Sequence, residues 1–586
     1  MSKIEEFRSF MREIGVDAFM LHTRDEYLCE YSECLKQLCG FTGTNGLLII
    51  TQYNKCPFFT DGRYITQAHS QLDHKDFEIY NIQEKDPCEW VEEKLTSTIT
   101  LSYYSQYFTI KELKKYEHIC QLVPYTDKRK SSYPEQKIVL HPIEYSGESS
   151  KSKCERIAKT INNRPLSKPI YGKKFLGEVQ ESTAEYLDVF EECSSASTTK
   201  LPSEIEFRKR SNEAVLLTDI NSISWLLNIR NENANYTPHV LCRAILYENG
   251  NVDLFIQDDK IEVALDNHIN VFNISELENA LHKLNSIIID PNTIPISIVN
   301  LLKNKQIIER EDPCLLSKAI KNKTEIAGAI NAHIQDAIAV TDFLYWFENN
   351  VNNGITELDA EKKILEYRKE RNLFKQPSFP TISAFNENAA IIHYRASSST
   401  NKIIQERGLY LIDSGGQYLN GTTDVTRTVA IGTPTKEQIT HYTIVLKAHI
   451  AIASAVFPPG TTGGELDILV RAHLWKFGMD YMHGTGHGVG SYLSVHEGPQ
   501  EISKGNKVEL VPGMIVSNEP GYYIPNKYGI RIENLMYVDK QENGFLSFTQ
   551  LTCIPYDQRL IDVQMLTKDE IEWVNNYHKF VYKNLY

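Results

Sequence analysis

The chain has no run long enough to span a membrane, no CxxC cysteine pair, and fewer basic than acidic residues. Each deficit excludes a class. The first removes a helical membrane protein from consideration. Eleven cysteines are scattered over 586 residues, and Cys29, Cys34 and Cys39 match no zinc-ribbon spacing, so free thiols in a reducing compartment are expected. With 62 Lys+Arg against 76 Asp+Glu, the net charge is −14, and the basic footprint that nucleic acid or an anionic membrane needs is missing. The N-terminal MSKIEEFRSF lacks the apolar stretch of a secretory signal. The expectation is a cytoplasmic protein with no nucleic-acid and no membrane partner.

What is present is ordinary globular material, 41% hydrophobic and 24% charged. The length implies about three or four domains. In the first part, helical spacing over Ile4–Ile14, apolar strands at 17–21, 47–51 and 57–60, and a helix through Ala68 predict a helix-covered sheet. The polar stretch from Ser131 to Ser152 predicts a domain boundary. A second α/β unit follows, with elements near 221–229, 244–247 and 252–256 and a turn at Gly250; its pattern echoes the first unit. Beyond Asp312-Pro313 the texture changes. Ile326, Ile330, Ile334 and Ile338 predict an amphipathic helix. Thr356 with Asp359 caps a second helix, Thr433-Pro434 starts a third, and a fourth spans Glu465 to Phe477. The last part is therefore α+β.

That last part holds Asp413, Asp424, His487, Glu519 and Glu533, each in a glycine- or turn-marked segment. Four carboxylates and an imidazole form a ligand set for two divalent cations, which can generate hydroxide at neutral pH and clamp a tetrahedral intermediate. Leu409-Tyr-Leu-Ile-Asp413 is an apolar strand ending on a carboxylate. Asn420-Gly421 predicts a hairpin turn with positive φ at both residues, returning Asp424, Thr426 and Thr428 on one face. Either aspartate alone would equally well cap or solvate a strand end. The run from His483 to Pro499 holds His483, His487 and His496 among glycines, which let backbone approach a ligand closely. Arg531 and Glu533 share strand parity, with Ile530 and Ile532 facing away.

These segments resemble a known family. Ile391-Ile-His-Tyr394, Leu411-Ile-Asp-Ser-Gly415, Gly421-Thr-Thr-Asp-Val-Thr-Arg-Thr428, the run 483–499, Asn518-Glu-Pro-Gly-Tyr-Tyr523 and Gly529-Ile-Arg-Ile-Glu-Asn534 are similar to the pita-bread metallopeptidases, closest to the cytosolic Xaa-Pro aminopeptidases (aminopeptidase P). Phe41–Gly46, Thr60–Tyr64, Ile223–Arg230 and Asn575–His578 resemble other parts of that subfamily. The resemblance implies two N-terminal creatinase-like α/β domains (1–140, and 141–314 with an insertion near 164–210), then a pita-bread catalytic domain with a C-terminal helical extension (315–586).

It also implies an exopeptidase that releases the residue before a penultimate proline through a hydroxide bridging two metal ions, usually Mn2+, and a homodimer. By the same carry-over Asp424 and Glu533 bridge the metals, Asp413 serves one, and His487 and Glu519 serve the other. Glu519 takes the proton from the attacking water. His393, His483 and His496 bind substrate, shuttle protons or stabilise the intermediate, and Tyr523 and Arg531 lie near the proline. Arg395-Ala396 stands where this family is expected to carry a small residue and then proline. A prolidase acting on dipeptides and a noncatalytic protein of the same fold are the alternatives.

Overall fold

The computed structural model describes residues 2–29, 34–95, 98–127, 133, 135–162, 214–257 and 264–585; the insertion expected near 164–210 lies outside them. Two six-stranded mixed sheets come first. In the first, the spatial order is Phe77–Asn81, Cys56–Thr60, Leu47–Thr51, Ala18–His22, Thr100–Tyr104, Gln121–Tyr125. In the second it is Ile269–Asn273, Val252–Ile256, Cys242–Tyr247, Ala214–Leu217, Ser286–Ile289, Gln306–Glu309. Both sheets run from a parallel edge pair through two antiparallel pairs to two further parallel pairs. The echo seen in the sequence is therefore a repeated topology. The strands read Phe-Met-Leu, Leu-Ile-Ile and Ile-Ile-Ile at their centres, as strands covered on both faces should, and these residues are buried.

The last part sets three strands (Ile382–Phe385, Gly408–Ser414, Val425–Ile431) and four strands (Val456–Phe457, Leu546–Gln550, Asn534–Lys540, Ile515–Asn518) against long helices. Lys323–Asn350, Glu357–Lys369, Lys436–Ala453 and Lys568–Leu585 share one core with the three-stranded sheet. Lys436–Ala453 and Gly463–Trp475 share another with the four-stranded sheet. Among the described residues, no helix is long and apolar enough to cross a membrane.

Three local expectations are corrected. The isoleucine stripe does mark a helix, Lys323–Asn350, but its buried face is Ala329, Ala332, Ala337, Ala339, Val340 and Phe343, while Ile330 is exposed. Small residues win there because the helix packs on backbone: Gly421 lies against Ala329 and Ala332. The third helix is capped by Thr435, with Gln438 completing the capping box, not by Thr433. The turn near 420 is displaced by one residue. Tyr418 pairs with Gly421, Leu419 and Asn420 form the loop, and neither Asn420 nor Gly421 takes a positive φ.

Candidate metal centre and substrate cavity

The strand Gly408–Ser414 pairs antiparallel with Val425–Ile431, Asp413 opposite Thr426. This register brings Asp413 and Asp424 to the same end of the hairpin, both buried. Glu533 follows the strand Tyr528–Arg531 and is held by its own N–H donating to Thr426 O (3.2 Å) and by Thr426 Oγ1 donating to its Oε2 (2.7 Å). Ile530 and Ile532 point the other way, fully buried in the helical core. The parity expected for Arg531 and Glu533 therefore holds.

His487 sits in a two-residue strand paired with Glu501–Ile502. A Cβ on Gly486 would lie 1.9 Å from Ser517 O, so only glycine lets this strand reach the one carrying Glu519. Ser517 Oγ then serves both neighbours, accepting from His487 N (2.8 Å) and donating to Glu519 Oε1 (2.9 Å). Asp413, Asp424, His487, Glu519 and Glu533 all line one cavity of about 770 Å³, together with His393, His483, His496 and Arg531. Ligand atoms of Asp424, His487 and Glu533 lie within 4.8 Å of one another.

The donor chemistry fits cations. His487 Nδ1 lies 2.9 Å from Gly488 O, which assigns the proton to Nδ1 and turns the Nε2 lone pair inward. Nε2 faces Asp424 Oδ2 at 3.4 Å and Glu519 Oε1 at 3.3 Å. Three such atoms meet stably only around a positive charge, either a proton on Nε2 or a cation. Burial lowers the basicity of His487, but the Asp424 and Glu519 carboxylates outweigh it and push its pKa up to about 9. Burial, followed by the neighbouring carboxylates, raises Glu533; burial raises Asp424 too, against the pull of its His487 contact. Asp413 Oδ1 and Asp424 Oδ1 are buried without a hydrogen-bond partner. Repelling carboxylates and orphaned oxygens are what divalent cations would satisfy.

A second layer surrounds the ligands. Arg531 donates to Asp413 Oδ2 (2.6 Å) and Tyr523 OH (2.8 Å), and Tyr523 OH lies 2.8 Å from His483 Nε2. Burial and Arg531 lower His483, and burial and Arg63 lower His393, so both imidazoles are neutral near pH 7. The His496 ring stands edge-on to His487, centroids 4.5 Å apart.

Sequence reasoning missed several residues at this site. Tyr64, from the first sheet's domain, reaches into the cavity with its OH 2.6 Å from His393 Nδ1 and 2.6 Å from Thr44 Oγ1. It lies in the Thr60–Tyr64 segment, a signal to which no role was attached. Arg230, from the second unit, donates to Tyr492 O (2.6 Å) and Ser491 O (3.1 Å) in the loop between His487 and His496. Glu497, beside His496, is buried between Lys318 (3.3 Å) and Lys321. Nothing local in the sequence announces such long-range partners.

Comparison with known proteins decides the family. A curated Xaa-Pro aminopeptidase 1 of Dictyostelium discoideum is 34% identical over 610 residues, covering 98% of this chain and 92% of the relative. The chain belongs to the Xaa-Pro aminopeptidases of metallopeptidase family M24. It is thus a hydrolase, an aminopeptidase. The metallopeptidase family M24 model matches residues 325–540, and the C-terminal region of that peptidase matches 544–586. Creatinase/prolidase N-terminal domains match 3–129 and 187–325, so the expected order of two creatinase-like domains and a pita-bread domain is met. Aminopeptidase P2 of Arabidopsis thaliana is 31% identical, covering 100% of this chain and 85% of its own. The crystal structure of an X-prolyl aminopeptidase from Caenorhabditis elegans, described as a cytosolic enzyme with a di-nuclear active site, superposes with TM-score 0.85 at 27% identity, covering 100% of this chain and 95% of that one.

Proposed function

We propose that this protein removes the N-terminal residue from peptides whose second residue is proline, using two divalent cations held by Asp413, Asp424, His487, Glu519 and Glu533. The observation that carries the reading is the convergence of His487 Nε2 with Asp424 and Glu519 oxygens at 3.4 and 3.3 Å. Asp424 and Glu533 would serve both ions, Asp413 one of them, and His487 with Glu519 the other. An oxygen-dominated set suits a hard or borderline ion such as Mn2+. Bound there, such ions lower the pKa of water and polarise a carbonyl oxygen.

The chain's own groups do the rest. Glu519 takes the proton of the attacking water; Ser517 Oγ orients its Oε1. The bond before proline is a tertiary amide whose nitrogen carries no proton, so the leaving nitrogen must receive one, for which Glu519 or one of the cavity histidines His393, His483 and His496 would serve. His483 Nδ1 lies 2.7 Å from Gly484 O, which leaves Nε2 to accept from Tyr523 OH. Arg531 holds Tyr523 in turn, and both would flank the proline side of the bond.

Further features of the reading are a domain division at 140/141 and 314/315, a cytoplasmic location and a homodimer. Nine described cysteines are free, which supports a reducing compartment. Leu469 (46% exposed) and Phe477 (54%), on and after the helix Gly463–Trp475, are exposed apolar side chains that support self-association through the catalytic domain.

The test is a product assay on Arg-Pro-Pro, Arg-Pro and Arg-Ala-Pro, with Mn2+ added or chelated. Arginine release from Arg-Pro-Pro alone, lost on chelation, is expected. Release from Arg-Pro alone would make the protein a prolidase, and full activity without metal would overturn the reading.

A further inference from the structure

The strand Val425–Ile431 has a cavity side and a back. Thr426 and Thr428 turn their hydroxyls to Glu533 Oε2 (2.7 Å) and Arg531 O (2.9 Å), so Arg427 between them projects from the back. It is 1% exposed, and a guanidinium that deep needs an acceptor for each of its five N–H groups. Nη1 donates to Thr426 O (2.9 Å) and Glu533 O (2.6 Å), and Nε to Pro555 O (3.0 Å). Nη2 reaches Asn534 Oδ1 (2.9 Å), Ile554 O (2.7 Å) and Tyr577 OH (3.1 Å). These acceptors are neutral oxygens, so the contacts fix geometry, unlike the ion pair of Arg531 with Asp413.

Nη1 joins the two backbones that carry metal-site carboxylates. Thr426 O also accepts from Glu533 N (3.2 Å), and the Thr426 hydroxyl holds the Glu533 carboxylate. By gripping the carbonyls of both residues, Arg427 closes this junction from behind. Nη2 extends the tie to the helix Lys568–Leu585, which buries Val574, Tyr577 and Val581. Tyr577 OH accepts from Arg427 and donates to Ile554 O (2.8 Å). Its ring stacks on Tyr556 (centroids 4.6 Å apart) and on Trp573 (5.4 Å). Aromatic packing thus places the hydroxyl that places the guanidinium.

We propose that Arg427 is a positioning residue of the metal centre and that Tyr577 sets its guanidinium, so the C-terminal helix helps to hold Glu533 against Asp424. The proposal rests on the two-cation reading above and adds to it residues that touch neither cation nor substrate.

Two variants of the full chain test it, by calorimetric titration with Mn2+ well below the thermal midpoints and by kcat and KM on Arg-Pro-Pro. Arg427→Lys keeps the charge but replaces a planar fork with a point donor. Its Mn2+ affinity should fall about tenfold or more, the usual effect of losing an outer partner of a metal ligand, and kcat should fall with KM little changed. Tyr577→Phe keeps the ring stacks and removes only the hydroxyl, so the same two quantities should fall about threefold, less than for loss of a whole outer partner. Should Arg427→Lys fail to fold, Tyr577→Phe alone decides. A lower thermal midpoint with parental Mn2+ affinity in both variants makes these residues scaffold only and overturns the proposal, leaving the two-cation reading intact. Weakened binding in Arg427→Lys beside parental binding in Tyr577→Phe overturns the part given to the helix. A parent protein that binds no Mn2+ would sink both readings.

Discussion

The two six-stranded sheets share a topology yet meet the catalytic part through different residues. The first sends side chains into the cavity: Tyr64 touches His393, and Arg63 lines the wall. The second sends Arg230 behind the loop that carries His487 and His496, where it holds the Ser491 and Tyr492 carbonyls. The same loop is tied from the other side by Gln417, which donates to Leu493 O (2.7 Å). One copy of the architecture shapes what substrate meets, and the other fixes the frame that presents the ligands. A repeated fold does not imply a repeated task; function follows the few residues that each copy projects.

Four experiments would break or sharpen that contrast. Asp424→Ala sets the scale, because both units serve the floor it belongs to: turnover should fall at least about 10³-fold, and calorimetric titration with Mn2+ should lose binding. Arg230→Ala should act on the frame. It removes a donor from four carbonyls, those of Ser224, Ile229, Ser491 and Tyr492, and costs about 3 kcal/mol, read as a lower thermal midpoint. A midpoint like that of the parent protein would remove the bracing role.

The next effect is a pH dependence confined to the second unit. Lys153 donates to Trp225 O (2.9 Å) and Asn228 Oδ1 (2.8 Å), and burial lowers its pKa from 10.5 to about 8. Between those values the unfolded chain holds a proton that the folded chain has released. The folded state therefore gains stability as pH rises through this window, on the order of 1 kcal/mol per pH unit. Lys153→Met abolishes that gain, so the stability gap between parent and variant should widen from pH 8 to 10 in denaturant titrations. A constant gap would show that the amine is not titrating there. The smallest effect belongs to Tyr64→Phe. It keeps the ring packed against His393 but removes the hydroxyl, so kcat/KM should drop about fivefold, worth about 1 kcal/mol, with the thermal midpoint unchanged. A fall in midpoint without a fall in rate would make Tyr64 structural.

Legibility in the sequence followed the range of the interaction. Asp413, Asp424 and Thr426 were readable because hairpin parity is local, and their shared cavity follows from one register. The turn residue at 420 was misplaced because Asn-Gly was credited with backbone strain, whereas Gly421 packs against the helix bearing Ala329 and Ala332. That same packing shifted the buried face of Lys323–Asn350 toward its alanines, leaving Ile330 exposed, since periodicity marks a helix but not which side meets a backbone neighbour. Tyr64 and Arg230 lie hundreds of residues from their targets, and no local pattern encodes such pairs.

Where the first unit meets the catalytic part, a Cβ on Gly62 would lie 2.3 Å from Met482 Cβ. Main chain and side chain are pressed together with no room for a methyl group, beside a cleft of about 770 Å³. A contact with no slack cannot shift to widen that cleft, so whatever enters must fit the opening as it stands.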